Sequence, residues 1–257
     1  MTTKQEPRIA VLVVAYNAST TLEDTLERIP ADFRDRITEI IVADDASDDD
    51  TFEKGANWRD RNPHIKTTVL RHVENRGYGG NQKAGYQVAI DKGYDVIVML
   101  HADGQYAPEC IERLVDPILK GDADAVFGSR MMEPGAARRG GMPLYKYFGN
   151  KILTKVENTV LGSSLSEFHS GYRAYSVAAL KAIPFAANSD GFDFDTQIIV
   201  QLLDANQRIL EVPIPTFYGD EICYVNGLPY ARDVVKAVLT YRMSKAGFGL
   251  SNWVPPP

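Results

Sequence analysis

Apolar residues in the first half of the chain gather in short runs rather than in helical stripes. Residues 9–15, 39–43, 67–70, 96–100 and 123–127 are mostly Val- and Ile-rich and show no in–out alternation. That is the pattern of strands buried on both faces of a parallel sheet. Between them lie residues 20–29, 51–61, 79–92 and 108–120, each long enough for a crossover helix. Strand, helix and strand repeated in this way predict right-handed βαβ units and a doubly wound α/β sheet. Ligands of such sheets bind beyond the carboxyl ends of the strands, and Tyr16-Asn17, Asp44-Asp45 and the stretch from His101 to Gln105 sit at those ends.

After Arg130 the pattern changes. Residues 133–142, rich in Gly, Pro and Arg, read as a mobile loop. Leu144, Tyr147 or Phe148, Ile152, Val156 and Val160 then share one broad face of a helix over 143–161, with Lys146, Lys151 and Lys155 on its other sides. Such a face packs on a sheet or lies at a membrane surface. A Gly171-Tyr172-Arg173-Ala174-Tyr175 segment follows, then a helix over 194–205, two short strands within 209–218 and a last helix over 230–243. There is no internal repeat, and the terminal Pro255-Pro256-Pro257 is expected to fray.

Composition narrows the class. With 257 residues, 44% of them hydrophobic, and a mean hydropathy of -0.23, the chain fits a soluble globular protein of one large or two small domains. A net charge of -6 offers no basic field for nucleic acid. Cys110 and Cys223 are too few for a disulfide framework, which suits a reducing, cytoplasmic compartment. The polar start of the chain does not read as a signal peptide, and no apolar run approaches the length of a membrane span.

The candidate chemistry centres on His101, Asp103 and Gln105. They end a buried strand at a spacing of two, which an extended backbone would project to one side. An imidazole, a carboxylate and an amide suit Mn2+ or Mg2+ carrying a phosphate-bearing substrate, and the imidazole tilts the choice toward Mn2+. A core histidine followed by a polar turn is the plainer alternative. Asp44 and Asp45 face the ligand edge, while Asp48, Asp49 and Asp50 charge the start of a helix. Arg76-Gly77-Tyr78-Gly79-Gly80 lacks the third glycine of a dinucleotide loop, since position 82 is Gln82. It either approaches phosphate through backbone N–H groups or lets a helix lie close to the sheet. Arg130 and Arg173 each follow a glycine-containing turn and are candidate phosphate clamps, with ordinary ion pairs as the alternative. Asp193 and Asp195 open a helix and are candidates for a general base or an acceptor-positioning group.

Assembled, these motifs resemble the inverting family 2 glycosyltransferases of the GT-A fold, and more closely their dolichol-phosphate mannose or glucose synthase-like branch, from residue 11 to about residue 220. The segments that carry the resemblance are Ala15-Tyr16-Asn17, Asp44-Asp45-Ala46-Ser47-Asp48, Asn75-Arg76-Gly77-Tyr78-Gly79-Gly80, Ala102-Asp103-Gly104-Gln105, Gly128-Ser129-Arg130 and Ser170-Gly171-Tyr172-Arg173. The resemblance implies one domain over 1–257, with a nucleotide-sugar-binding half to residue 130 and an acceptor-forming half beyond it. It implies Ala15, Tyr16, Asn17, Asp44, Asp45, Arg76, Gly77, Gly79, Ala102 and Asp103 around the nucleotide-diphosphate sugar, and His101, Asp103 and Gln105 around Mn2+ or Mg2+. It further implies Asp103, Arg130, Arg173, Asp193 and Asp195 in catalysis, and Arg138, Arg139, His169 and Tyr172 near the acceptor. The expected reaction is sugar transfer to a polyprenyl phosphate in cell-envelope glycan biosynthesis, by a cytoplasmic protein in peripheral contact with the membrane. The chain departs from the family in one place: His101 stands where the first aspartate is usual. A sugar hydroxyl as acceptor, or a catalytically silent nucleotide-sugar-binding module, are the competing readings. A nucleotidyltransferase is disfavoured, because no glycine-rich loop follows the first strand.

Overall fold

The computed structural model describes residues 6–218, 227–248 and 251–254; the first five residues, Cys223 and the prolyl tail lie outside them. The first half alternates as its pattern requires. It runs β1 (Ile9–Ala15), α1 (Leu22–Glu27), the single turn α2 (Ala31–Arg34), β2 (Ile37–Asp44), α3 (Thr51–Arg61), β3 (Thr67–Arg71) and α4 (Gly77–Asp91). Then come β4 (Val96–His101), α5 (Ile111–Leu119), entered through a 3-10 turn at Pro108–Cys110, and β5 (Ala125–Ser129). The second half supplies α6 (Ala136–Arg139), α7 (Leu144–Leu161), β6 (Arg173–Ser176), α8 (Val177–Lys181), α9 (Phe194–Asp204), β7 (Ile209–Pro213) and α10 (Gly227–Lys245).

The seven strands form one sheet in the order β3-β2-β1-β4-β6-β5-β7. All its pairs are parallel except those of β6, which runs antiparallel to both β4 and β5. The non-alternating strands are explained by burial on both sides. Ile9, Val11 and Val13 join Leu22, Leu26 and Trp58 in one core, while Ala10, Leu12 and Val14 join Tyr86, Phe194 and Ile198 in the other. Burying each such large apolar side chain stabilises the fold by about 1.5–3 kcal/mol. Gly85 lets α4 lie against β1, since a Cβ there would collide with the Leu12 side chain.

Three expectations change. The Gly171–Tyr175 stretch, too short and too charged to read as a strand, yields β6 in the middle of the sheet. Within residues 209–218 only Ile209–Pro213 is a strand. The expected mobile loop contains α6, anchored by the buried Ala137.

The helix α7 is built inside out. Leu144, Tyr145, Phe148 and Ile152 are between 56 and 73% exposed, whereas Asn150, Thr154 and Glu157 are its buried residues. Asn150 donates to Glu167 at 2.7 Å, and Glu157 accepts from Thr196 at 2.9 Å. Its polar face is therefore the one turned inward, toward Glu167 and the start of α9.

Candidate active site

Strand register brings the polar clusters to one edge. Ala15 pairs with Asp44 across β1 and β2, and Val14 pairs with His101 across β1 and β4. Neighbouring strands lie about 4.8 Å apart, so residues 15–17, 44–48 and 101–105 emerge side by side. Tyr16 is partly exposed there. Asn17 takes a positive φ of 49°, which asparagine tolerates. Its N–H donates to Ser47 Oγ at 2.9 Å, and its Oδ1 accepts from the Asp48 N–H at 3.0 Å. The first two loops are thus braced against each other.

Asp44 and Asp45 have different surroundings. Asp44 is fully buried, accepts from both the N–H and the hydroxyl of Ser47, and lies 3.5 Å from Arg71 Nε. It organises its own loop. Asp45 accepts from the Arg76 N–H at 2.8 Å. Burial pushes its carboxyl up, only partly opposed by that N–H and by His72. The Arg76 guanidinium is exposed and has no ion-pair partner among the described residues.

Strand geometry ends at His101, which corrects the expected extended spacing. Residues 102–105 form a turn with Gly104 at φ +73°. The turn still gathers the group. Asp103 Oδ2 lies 3.8 Å from His101 Nδ1, and Asp103 Oδ1 accepts the Gln105 N–H at 3.0 Å. Gln105 therefore meets Asp103 through its backbone. Two unexpected residues of the α1 segment hold the turn from beneath: Thr25 Oγ1 donates to the Ala102 carbonyl and the Arg28 guanidinium to that of Gly104. Burial works to raise the Asp103 carboxyl, but the His101 ring in its charged form, the Gln105 N–H and the Arg130 charge hold it below the ordinary range.

The glycine turn before α4 packs against protein. The Gly79 and Gly80 N–H groups donate to the Asp190 carbonyl, and the Gly77 N–H donates to Asn75 Oδ1. A Cβ at Gly79 would lie 2.5 Å from the Ser189 carbonyl oxygen. The expected nucleotide contact through Gly77 and Gly79 has no free donor at these amides, so close helix packing is their role.

Neither arginine is a free phosphate clamp. Arg130 is buried in a two-point pair with Glu167, donates to the His169 carbonyl at 3.0 Å and approaches the Tyr218 hydroxyl at 3.3 Å. Burial favours losing its charge, but Glu167 overrides this and raises the guanidinium further, while Glu167 is correspondingly held down by Arg130. Arg173 donates to the carbonyls of Ser170, Phe168 and Asp195, and lies 3.4 Å from Asp195 Oδ1. Both charges are consumed inside the fold. The signal missing from the sequence was Glu167, distant along the chain.

Asp195 is equally committed. It accepts from the Tyr78 hydroxyl at 2.9 Å and from Gln82 Nε2 at 3.4 Å, besides its Arg173 contact. Tyr78 in turn lies 3.1 Å from His101 Nε2 and stacks on Phe192 at 5.0 Å. Burial, then the Asp195 charge, push the Tyr78 phenol well up. Asp193 stands at the first position before α9 without a side-chain capping bond, and accepts from Gln197 Nε2 at 2.8 Å.

Of the residues expected near an acceptor, Tyr172 is buried in the core, its hydroxyl donating to the Pro108 carbonyl at 3.3 Å, so it offers no acceptor contact. His169 sits deep between Glu157, 3.2 Å away, and the Tyr230 hydroxyl, 2.7 Å away. Arg138 and Arg139 are exposed on α6, and among the described residues their guanidinium groups donate to the backbone carbonyls of Met142 and Pro134. Among the described residues no three His, Cys, Asp or Glu side chains converge as a metal cage, and no helix is long and apolar enough to cross a membrane.

A model of glycosyl transferase family 2 matches residues 10–183. The chain is 32% identical over 218 residues to the undecaprenyl-phosphate mannosyltransferase of Micrococcus luteus, covering 84% of this chain and 85% of the relative. It is 28% identical over 222 residues to the UDP-N-acetylglucosamine–dolichyl-phosphate N-acetylglucosaminyltransferase of Methanococcus voltae, covering 82% and 86%. Among solved structures, glucosyl-3-phosphoglycerate synthase of Mycobacterium tuberculosis in complex with Mg2+ and uridine diphosphate superposes with a TM-score of 0.69 at 21% identity, covering 95% of this chain and 81% of the other. At that identity the likeness concerns the fold.

Proposed function

The chain belongs to glycosyl transferase family 2, and from that premise we propose that it moves a sugar from a nucleoside diphosphate donor to a polyprenyl phosphate, with inversion at the anomeric carbon. The observation that carries the choice of acceptor is the state of Asp195. Its carboxylate is paired with Arg173 and hydrogen-bonded to Tyr78 and Gln82, so it is not an idle general base. A sugar hydroxyl needs such a base; a phosphate is already an anionic nucleophile. The curated relatives named above act, by their names, on undecaprenyl and dolichyl phosphates.

In this reading the donor lies along the carboxyl edge, with its nucleoside over Tyr16, Asn17, Asp45 and Arg76. Its diphosphate lies at the His101–Asp103 turn. His101 and Asp103, an imidazole and a carboxylate 3.8 Å apart, would hold Mn2+ or Mg2+ together with oxygens of the donor diphosphate. When bound, the ion offsets the charge that gathers on the departing nucleoside diphosphate. A phosphate oxygen of the acceptor forms a bond to the anomeric carbon as the bond to the donor diphosphate breaks, and the electron pair leaves with the nucleoside diphosphate. The protein contributes position. Arg138 and Arg139 draw the acceptor phosphate, and α6 packs on α7, whose exposed Leu144, Phe148 and Ile152 meet the membrane that carries the lipid.

The test is release of free nucleoside diphosphate from common nucleotide sugars with Mn2+ or Mg2+, with and without a short polyprenyl phosphate. Release that requires the lipid phosphate is expected. Equal turnover with hydroxyl acceptors and indifference to the lipid would overturn the acceptor; donor binding without release under any condition would overturn the transfer.

A further inference from the structure

We propose that Tyr78 and Asp195 are positioning residues that fix the tautomer of His101, so that Nε2 carries the proton and Nδ1 is presented as the ligand of the divalent ion. The inference rests on the metal-assisted reading above.

It follows from counting protons. Tyr78 has one, and its hydroxyl oxygen lies 2.9 Å from Asp195 Oδ2 and 3.1 Å from His101 Nε2. Asp195, held beside the Arg173 guanidinium at 3.4 Å, only accepts. The tyrosyl proton therefore goes to Asp195, and the phenol oxygen faces Nε2 with a lone pair. A hydrogen bond across that 3.1 Å requires the proton on Nε2. In the neutral imidazole this leaves the Nδ1 lone pair directed at Asp103 Oδ2, 3.8 Å away, beyond hydrogen-bond range. Asp103 Oδ1 is already engaged by the Gln105 N–H, so Oδ2 is the free oxygen. Two acceptors facing each other with no proton between them repel, and a cation relieves the repulsion. A ligating histidine commonly gives its other N–H to an oriented acceptor, which is what Tyr78 supplies here.

Gly171 belongs to the same device. A Cβ there would collide with His101 Nε2 and lie 2.9 Å from the Tyr78 hydroxyl. A carboxylate at position 101 has equivalent oxygens and needs no such arrangement. An imidazole does, because one nitrogen must be kept from the metal.

Long-range proton–nitrogen NMR on metal-free protein labelled in histidine, at a pH above the ordinary imidazole range, reads the tautomer directly. The Nε2–H form of His101 is expected; the Nδ1–H form would overturn the proposal. Mn2+ titration followed by electron paramagnetic resonance, with nucleoside diphosphate present, supplies the second readout. Tyr78→Phe should weaken Mn2+ binding about 10-fold or more, while thermal melting confirms that the ring still packs on Phe192. In a His101→Asp background the same substitution should cost little. Equal losses in both backgrounds, or none in the first, would overturn the role. Failure of the unaltered protein to bind Mn2+ at all would overturn the metal reading itself, a result distinguishable from unchanged binding by Tyr78→Phe.

Discussion

Arg130 spends its charge inward. Its guanidinium and the Glu167 carboxylate are both buried and joined at two points, so removing one partner strands the other. Arg130→Met is expected to cost about 3–5 kcal/mol in stability, measured by urea denaturation, with Arg130→Met/Glu167→Met recovering most of it. In sequence, a guanidinium after a strand reads as a phosphate clamp because its carboxylate, 37 residues on, is not visible as a neighbour. Asp103 presents the opposite case. It stands partly exposed at a strand end, with only one oxygen engaged by a backbone N–H, and its place on the site edge was legible from position alone. Asp103→Asn should lower donor turnover on the order of 100-fold while leaving the thermal midpoint nearly unchanged; near-normal nucleoside diphosphate release would remove Asp103 from the site.

At the scale of the element, α7 shows what a periodic pattern leaves undecided. Apolar side chains at 144, 148 and 152 marked one face correctly, but a stripe carries no sign saying whether it faces protein or solvent. The answer lay in Asn150, which donates to Glu167, Thr154, which donates to Asn150, and Glu157, which accepts from Thr196 and lies 3.2 Å from His169; these contacts make the polar side the interior one. Exposed replacements away from such partners usually change stability by less than about 0.5 kcal/mol. Phe148→Ser/Ile152→Ser should accordingly melt like the parent, yet lose sedimentation with anionic lipid vesicles and turnover of membrane-embedded polyprenyl phosphate. Retained vesicle binding would remove α7 from the membrane contact.

Across the whole molecule, the β1–β5 alternation was legible because burial on both faces writes apolar runs into β1, β4, β5 and most of β2, with the half-buried edge strand β3 the weakest of them. The site edge followed, since parallel strands end together. β6 was not legible: four residues beginning with an arginine have no period. One more global property follows from Glu39, which ties β2 to β3 and to the end of α4 through Thr68, Lys66 and Lys92. Burial opposes its charge, but Lys92, Thr68, Tyr94 and Lys66 prevail and lower its carboxyl from 4.5 to about 2. A depressed folded value stabilises above the ordinary one and is lost as pH falls toward the folded one. The thermal midpoint should therefore drop between about pH 4.5 and pH 2, and Glu39→Gln should flatten that slope while lowering the midpoint at neutral pH. An unchanged acid slope in the variant would remove Glu39 as its source.

The antiparallel β6 also sets an order of events during synthesis. β5 has only β6 and β7 as neighbours, and β4 meets β6 on its far side. A ribosome that has released residues through 129 has therefore made a strand with no partner and another with one bare edge. Both stay open until residues 173–176 emerge and wedge between them. Such unpaired edges template pairing with other chains, so a pause in translation across this interval exposes the nascent protein to self-association, and its soluble yield should depend on chaperones that shield those edges.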